Sequence, residues 1–562
     1  MGLEPERIEM RYFHVEGTFR LHITGIVLLA VLLSSALPLR AAAARVEEDW
    51  TVYGDLRYVH SIAIAPDYVY FGTGGGLARF NRLKEQWETP ASTPQGLPDL
   101  HIVLIGIDPL ARTVWTCTPS GIYLYDPAFE SFSSVETPFS TGNAHSIGFE
   151  EESVWIIIDR TARRYGREDR TWTRGGAPPS DLIWFGAAGS VSLDDPAYSF
   201  VSPLHFRDYD LNTFPLSAAA RDGDELWVGS LGYGVSRYSV LMLDREHWLL
   251  GPAGIDITAL ARDGGTIWMA GSGSIGLTVT SWETERGAWE DLPQPMPGEG
   301  SDLRATSLLA ERRYLWLGTD QGLFAYDMDK GRWKRRLLPG RGRDAAVYGL
   351  SVRGDTLWAA TEAGPAWMSI KNWGSALLPI ADSTGAQVSD QATFDVAVEG
   401  GYLWFASDRG IYLYDLEEGK WRLLDNPPGL LSHDAIRIMP DPETGEILFA
   451  TRHGVAVYDR DESTWVEALA PGGLTGQILA AAADRTSIWC GTRHELLRFD
   501  RGTTSWETFP TDEWLPRGTI QAISSDGDYL WCGTPAGLAR FDFERPISRD
   551  WRGHDSTESD RQ

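Results

Sequence analysis

Cysteine is almost absent, with three residues in 562, and this excludes a disulfide-stapled scaffold and a Cys-rich zinc module. Positive charge is scarce as well. The 50 Lys+Arg face 78 Asp+Glu, a formal charge of -28, and no long basic block offsets it locally. Such a chain repels phosphate backbones and anionic lipid surfaces, so nucleic acid is excluded as a partner. The eleven His show no H-E-x-x-H and no Cys/His metal spacing, which leaves zinc hydrolysis without support. Acidic runs such as DMDKG at 327–331 lack the oxygen-ligand series of a calcium loop and read as hairpin turns, so no metal and no cofactor is expected.

Long apolar runs are absent too, save one. Residues 23–39, ITGIVLLAVLLSSALPL, are seventeen without a charge, followed by alanines 41–44. A spanning helix wants about 20 apolar residues. This stretch is shorter, holds Ser34, Ser35 and Pro38, and ends in a small-residue cleavage pattern, so residues 1–44 are expected to be a secretory signal peptide. The alternative is an uncleaved N-terminal anchor. The leader carries four basic and four acidic side chains, so the mature chain keeps its charge of -28. It holds no second apolar segment of spanning length, and the expected compartment is periplasmic or extracellular.

What the sequence has in abundance is Trp and Gly, 24 and 59 residues, and a repeat. VYFGTGGGLARFNRLKEQW (69–87), LWLGTDQGLFAYDMDKGRW (315–333), LWFASDRGIYLYDLEEGKW (403–421) and IWCGTRHELLRFDRGTTSW (488–506) align in one frame. The aromatic or apolar lead recurs at Tyr70, Trp115, Trp155, Trp227, Trp268, Trp316, Trp358, Trp404, Leu448, Trp489 and Trp531. Apart from the step 155 to 227, the intervals lie between 40 and 48 residues, the blade period of a β-propeller. Each unit reads as four short strands with Gly-containing first turns and polar second turns. Twenty of the 24 Trp fall at the lead or at the start of the fourth strand, from Trp50 to Trp551, where a large flat side chain can fill the space between neighbouring sheets.

The pattern resembles the two-component regulator propeller repeat, with its W-x-G-T-x-x-G-L-x-x-Y-D core, closely at 315–327 and 530–542 and more loosely at 154–165 and 357–367. The resemblance covers about residues 50 to 551. It implies an all-β propeller with a sensor or scaffold role, here a stand-alone secreted protein, because only a polar tail at 552–562 follows and no kinase module does. The 72-residue step from Trp155 to Trp227 leaves room for a twelfth unit, with DLIWFG (181–186) as inner strand and HFRDY (205–209) as outer. Twelve blades exceed one ring. Two six-bladed propellers are therefore expected, at 45–296 and 297–551, divided by PQPMPGEG (293–300). The strand WTVY (50–53) is expected to close a ring with a later blade, and strands of four to seven residues with no helix beyond two turns should result.

Function is less legible. The three Cys occupy equivalent second-strand positions and read as buried, unpaired thiols. No sialidase Asp-box is present, and YDLEEGKW (414–421) is only slightly like a quinoprotein docking repeat. Non-catalytic binding of a small molecule, glycan or protein partner on one face is the expectation. A polysaccharide-active lyase or hydrolase is the alternative, and a quinoprotein the next. The loops between second and third strands should surround one mouth of the second propeller. They carry Asp320, Glu362, Asp408, Arg409, Arg452, His453, Arg493, His494 and Glu495. Arg452, His453, Arg493 and His494 stand at matching positions of consecutive units, and paired guanidinium groups suit a carboxylate or phosphate.

Overall fold

The computed structural model describes residues 50–180, 182–187, 201, 205–208, 210–296, 303–340, 344–381, 391–424, 435–441, 444–472, 474 and 476–543. The expected signal peptide, the 552–562 tail and Trp551 lie outside these. Eleven antiparallel sheets account for the described chain. Strands run from three residues (Trp172–Arg174) to ten (Thr213–Asp222), a wider spread than expected. Among the described residues the one complete helical element is a 3-10 turn at Thr93–Gln95.

In chain order the sheets are A (59–91), B (104–135), C (144–174 with Ile183–Gly186), D (205–248), E (256–291), F (305–336), G (347–377), H (393–423), I (435–469), J (480–510) and K (522–542 with Trp50–Tyr53). Nine of them have four strands, and C and D have five. The repeat's T-x-x-G step builds the turn between second and third strands. The hydroxyl of Thr319 donates to the carbonyl of Gly322 at 2.8 Å and accepts the N–H of Gln321 at 3.2 Å. Thr73, Thr361, Ser407, Thr451 and Thr534 repeat the arrangement. Gly322 has φ +125°, which a side chain would strain, so the turn selects glycine.

Buried apolar clusters lie between consecutive sheets rather than at one centre, for example between E and F, H and I, and I and J. Trp227, Trp316, Trp404, Trp489 and Trp531 are among the largest fully buried side chains. Outer-strand tryptophans clamp one sheet to the loop leaving its predecessor. Trp333 Nε1 donates to Pro293 O at 2.7 Å and Trp421 Nε1 to Pro379 O at 2.9 Å. A second tie runs from an Arg just after a third strand to an acid on the preceding sheet's first turn. Arg460 reaches Glu399 at 2.9 Å, Arg167 reaches Asp108, and Arg501 reaches Asp441.

The packing order of the inner strands gives the ring membership. E packs on F, and G, H, I, J and K follow in turn; K packs back on E, so these sheets form a closed cycle of seven. Trp50–Tyr53 supplies the outer strand of K, pairing from Trp50↔Phe541 to Tyr53↔Leu538. Trp50 thus fills the outer tryptophan place of this sheet. Sheets D, A, B and C form a second succession, in which Arg82 of A meets Asp222 at 2.9 Å and Glu225 at 3.1 Å of D. That is the same inter-sheet tie as above, made between the last and first sheets of this group.

These neighbours correct two expectations. Ile183–Gly186 forms no sheet of its own but adds to the inner strand of C, and His205–Arg207 pairs with Thr213–Asp222 of D. Nor does the stretch 293–300 divide two rings of six, because E before it packs on F after it. The chain instead leaves the seven-sheet ring after Tyr53 and returns to it at Asp256, with the four-sheet unit inserted between. Two short crossings join the parts. Beside them Arg57, 2% exposed, holds Asp291 of sheet E at 2.5 and 2.9 Å and donates to Gly251 O at 2.6 Å.

Candidate functional site

The nine residues expected at the mouth all lie at the second-to-third-strand turns of sheets F to J. In sheets I and J the turn touches the loop that enters the next sheet. Ile478 N donates to Arg452 O at 3.0 Å, Thr511 N to His494 O at 2.9 Å, and Ile520 N to Thr492 O at 2.9 Å. Turn and entry loop therefore share one face of the seven-sheet ring.

The structure sorts these residues into two groups. Asp320 accepts the backbone N–H of Arg304 at 3.0 Å, and Asp408 accepts from the buried Gln391 amide. These carboxylates fasten turns to entry loops. Glu362 is half-buried, and Glu495 stands where the other turns have glycine, with its Oε2 buried and unpartnered. The cations behave differently. Arg409, Arg452, His453, Arg493 and His494 are all exposed. Arg452 donates to Gln477 Oε1 at 3.1 Å, and His494 Nδ1 lies 3.0 Å from Asp512. Among the described residues no carboxylate lies within ion-pair distance of Arg409, Arg452 or Arg493.

Sequence reasoning missed Arg517. It is exposed on the 511–520 loop, which folds against the Arg493 turn, with Thr519 Oγ1 at 3.5 Å from Arg493 O. Nothing in the repeat frame marks an entry loop, whose length varies from sheet to sheet. Arg452, His453, Arg493, His494 and Arg517 thus gather at the junction of I, J and K, a cationic rim on a chain of charge -28. Such a rim can hold a carboxylate or phosphate, since guanidinium groups pair bidentately with both.

Other features narrow the chemistry. Burial pushes the Cys117 and Cys490 thiols up to about 12 and Cys532 higher still, so none is a thiolate near neutral pH. A cleft of about 660 Å3 separates the four-sheet unit from sheet E, lined by Trp87, Trp248, Trp282 and Trp289, with the Arg57–Asp291 pair at one side. His247 borders this cleft. Burial, with Arg245 and Arg57, pushes His247 down to about 4; burial and His101 do the same to His60 in the four-sheet unit. Both bases are thus protonated less readily folded than unfolded, where imidazole titrates near 6.5. Between about pH 6.5 and 4 the unfolded chain binds more protons, and these two groups withdraw stability as pH falls. Asp55, pushed up to about 6 mainly by burial, has the opposite sign in that window. The expected result is therefore differential: His60→Gln combined with His247→Gln reduces the drop in melting temperature between pH 7 and 5. An equal drop in parent and variant contradicts it.

Sheets of four antiparallel strands, packed through tryptophan and arranged in a closed cycle with each inner strand at the axis, define a β-propeller. No family model and no curated protein matches the chain. Among solved structures it is similar to the extracellular domain of the hybrid two-component system BT3049 from B. thetaiotaomicron, at 14% identity over 86% of this chain and 74% of that one, with TM-score 0.44. It is similar also to the extracellular domain of the one-component system BT4673 of the same organism, at 16% identity, 87% and 71% coverage and TM-score 0.42. A third is PorZ, a surface component of the type-IX secretion system of Porphyromonas gingivalis, at 13% identity, 87% and 74% coverage and TM-score 0.40. At these values the likenesses carry no argument about what this chain binds.

Proposed function

We propose that the protein is an exported, non-catalytic propeller of the two-component regulator type that binds an anionic ligand on one face of its seven-sheet ring. The observation that carries this reading is the rim at sheets I to K. Arg452 and Arg493 are exposed on matching turns of adjacent sheets, with no carboxylate partner among the described residues, in a chain of charge -28. Of the nearby acids, Asp408 is engaged by Gln391 and Asp512 by His494. The apolar leader and the resemblance support export to the periplasm or beyond. Among the described residues no helix is long and apolar enough to cross a membrane.

Calorimetric titration of the full chain with polygalacturonate, inorganic phosphate and a glutamate-rich peptide tests the reading. At least one is expected to bind, more weakly as salt is raised. Arg452→Ala with Arg493→Ala should weaken it by about 10- to 100-fold, one charge-assisted contact being lost per residue. Binding unchanged by both substitutions, or no binding by any of the three, overturns it.

A further inference from the structure

The four-sheet unit contains a cavity remote in sequence from the rim. It measures about 380 Å3 and is walled by the inner strands of A, B, C and D and by Ile183–Gly186. Three of those inner strands bulge at the same place, and the extra residues there are His60, His145 and Ser217, all lining the cavity. In the seven-sheet ring the matching bulges hold Thr258, Thr306, Tyr348, Phe394 and Ile436. A bulge re-aims a side chain. Ser217 uses its hydroxyl as Thr258 and Thr306 do, donating to the first carbonyl of the next inner strand.

His60 does something else. Its ring packs edge-on against His101 at 4.6 Å, and its Nε2 is buried without a hydrogen-bond partner. Buried polar atoms of that kind are rare and call for an explanation. Near neutral pH the imidazole is uncharged, since burial and His101 push it down to about 4. Trp184, which also lines the cavity, occupies neither tryptophan position of the repeat. It lies on the backbone of sheet C, where a Cβ at Gly148 would stand 2.9 Å from the indole, so the glycine is what seats it. Among the described residues no carboxylate lines the cavity, and the one Lys or Arg that does, Arg221, donates to Gly223 O at 2.9 Å. Among the described residues no group of three ligating side chains could hold a metal ion.

We propose that this axial cavity binds a small neutral polyhydroxy ring, a monosaccharide or the end of a short glycan, through stacking on Trp184 and a hydrogen bond to His60. The volume lies within the range of small-molecule pockets, about 300–1,000 Å3. An aromatic face beside uncharged hydrogen-bonding groups suits a sugar, whose C–H face is apolar and whose edge is hydroxylated. Among the described residues an acidic sugar meets no free cation here, which separates this ligand from the one proposed for the rim.

The full chain is titrated calorimetrically with glucose, galactose, mannose, xylose, maltose and cellobiose, with glucuronate as the charged arm. One neutral sugar is expected to bind with Kd of about 10 μM to 1 mM. Trp184→Ala and His60→Gln should each weaken it by about tenfold or more, whereas Arg452→Ala with Arg493→Ala leaves it unchanged. Hydrogen exchange on the unaltered protein supplies a reading independent of the variants' folding, with the sugar slowing exchange at 183–187. No neutral sugar bound at about 10 mM, glucuronate alone bound, or protection confined to the rim loops would each overturn the proposal.

Discussion

Replacing Trp404 by alanine lowers the stability of the protein by about 3 to 5 kcal/mol, the range of an aromatic-to-alanine change in a packed core. The side chain is 1% exposed, and its ring meets Phe449 at 5.9 Å and Tyr458 at 5.6 Å across the boundary between sheets H and I. Removing it empties an inter-sheet space that no other part of the chain can fill, because both sheets are held by their own ladders and by the Arg460–Glu399 tie. The indole N–H is buried without a partner, so the loss is one of packing, and Trp404→Phe should recover more than half of it. Urea denaturation followed by tryptophan fluorescence reads the change. A difference below about 0.5 kcal/mol would place Trp404 at a surface and refute the sheet packing.

The second large effect is expected at the crossing between the two parts. Arg57→Ala strands Asp291 without its bidentate partner and removes the donor to Gly251 O, and loss of one member of such a buried pair costs about 3–5 kcal/mol. The pair stands apart from the surface bridges, such as Arg286–Glu283 with side chains 78% and 41% exposed, where about 0–1 kcal/mol is the usual value. Replacing both partners, Arg57→Met with Asp291→Leu, should restore most of the stability, since no unpaired charge is left. If the double variant is as unstable as Arg57→Ala, the damage lies in packing rather than in the stranded carboxylate. Limited proteolysis should cut Arg57→Ala first at 249–255, the return crossing.

Much of this architecture was legible in the chain. Strands, their number per unit and the turns came from local rules: a period of 40 to 48 residues, Thr-x-x-Gly turns whose hydroxyl closes the hairpin, and a Trp wherever a sheet face needs covering. The rim was legible for the same reason, because matching positions of a repeat fall on matching corners of the fold. Arg452 and Arg493 could be placed on one face without knowing how many sheets the ring has.

Ring membership was not legible. A repeat states what each unit is and says nothing of where the cycle closes. Closure depends on Trp50–Tyr53 pairing with Gly537–Asp542, nearly the whole chain away, and on sheet E meeting K rather than D. The long, Pro/Gly-rich interval at 293–300 looked like a boundary, yet sheets E and F on either side of it pack together in one ring. His60, His101 and Trp184 carry no spacing signal at all; a bulge in one strand, a ring contact between two sheets and a glycine under an indole bring them together. Sequence alone determined the unit, because hydrogen-bonded turns and strand alternation are settled within some forty residues. Tertiary structure alone decided how many units share an axis and which side chains meet there, because those outcomes rest on contacts between sheets that no local pattern encodes.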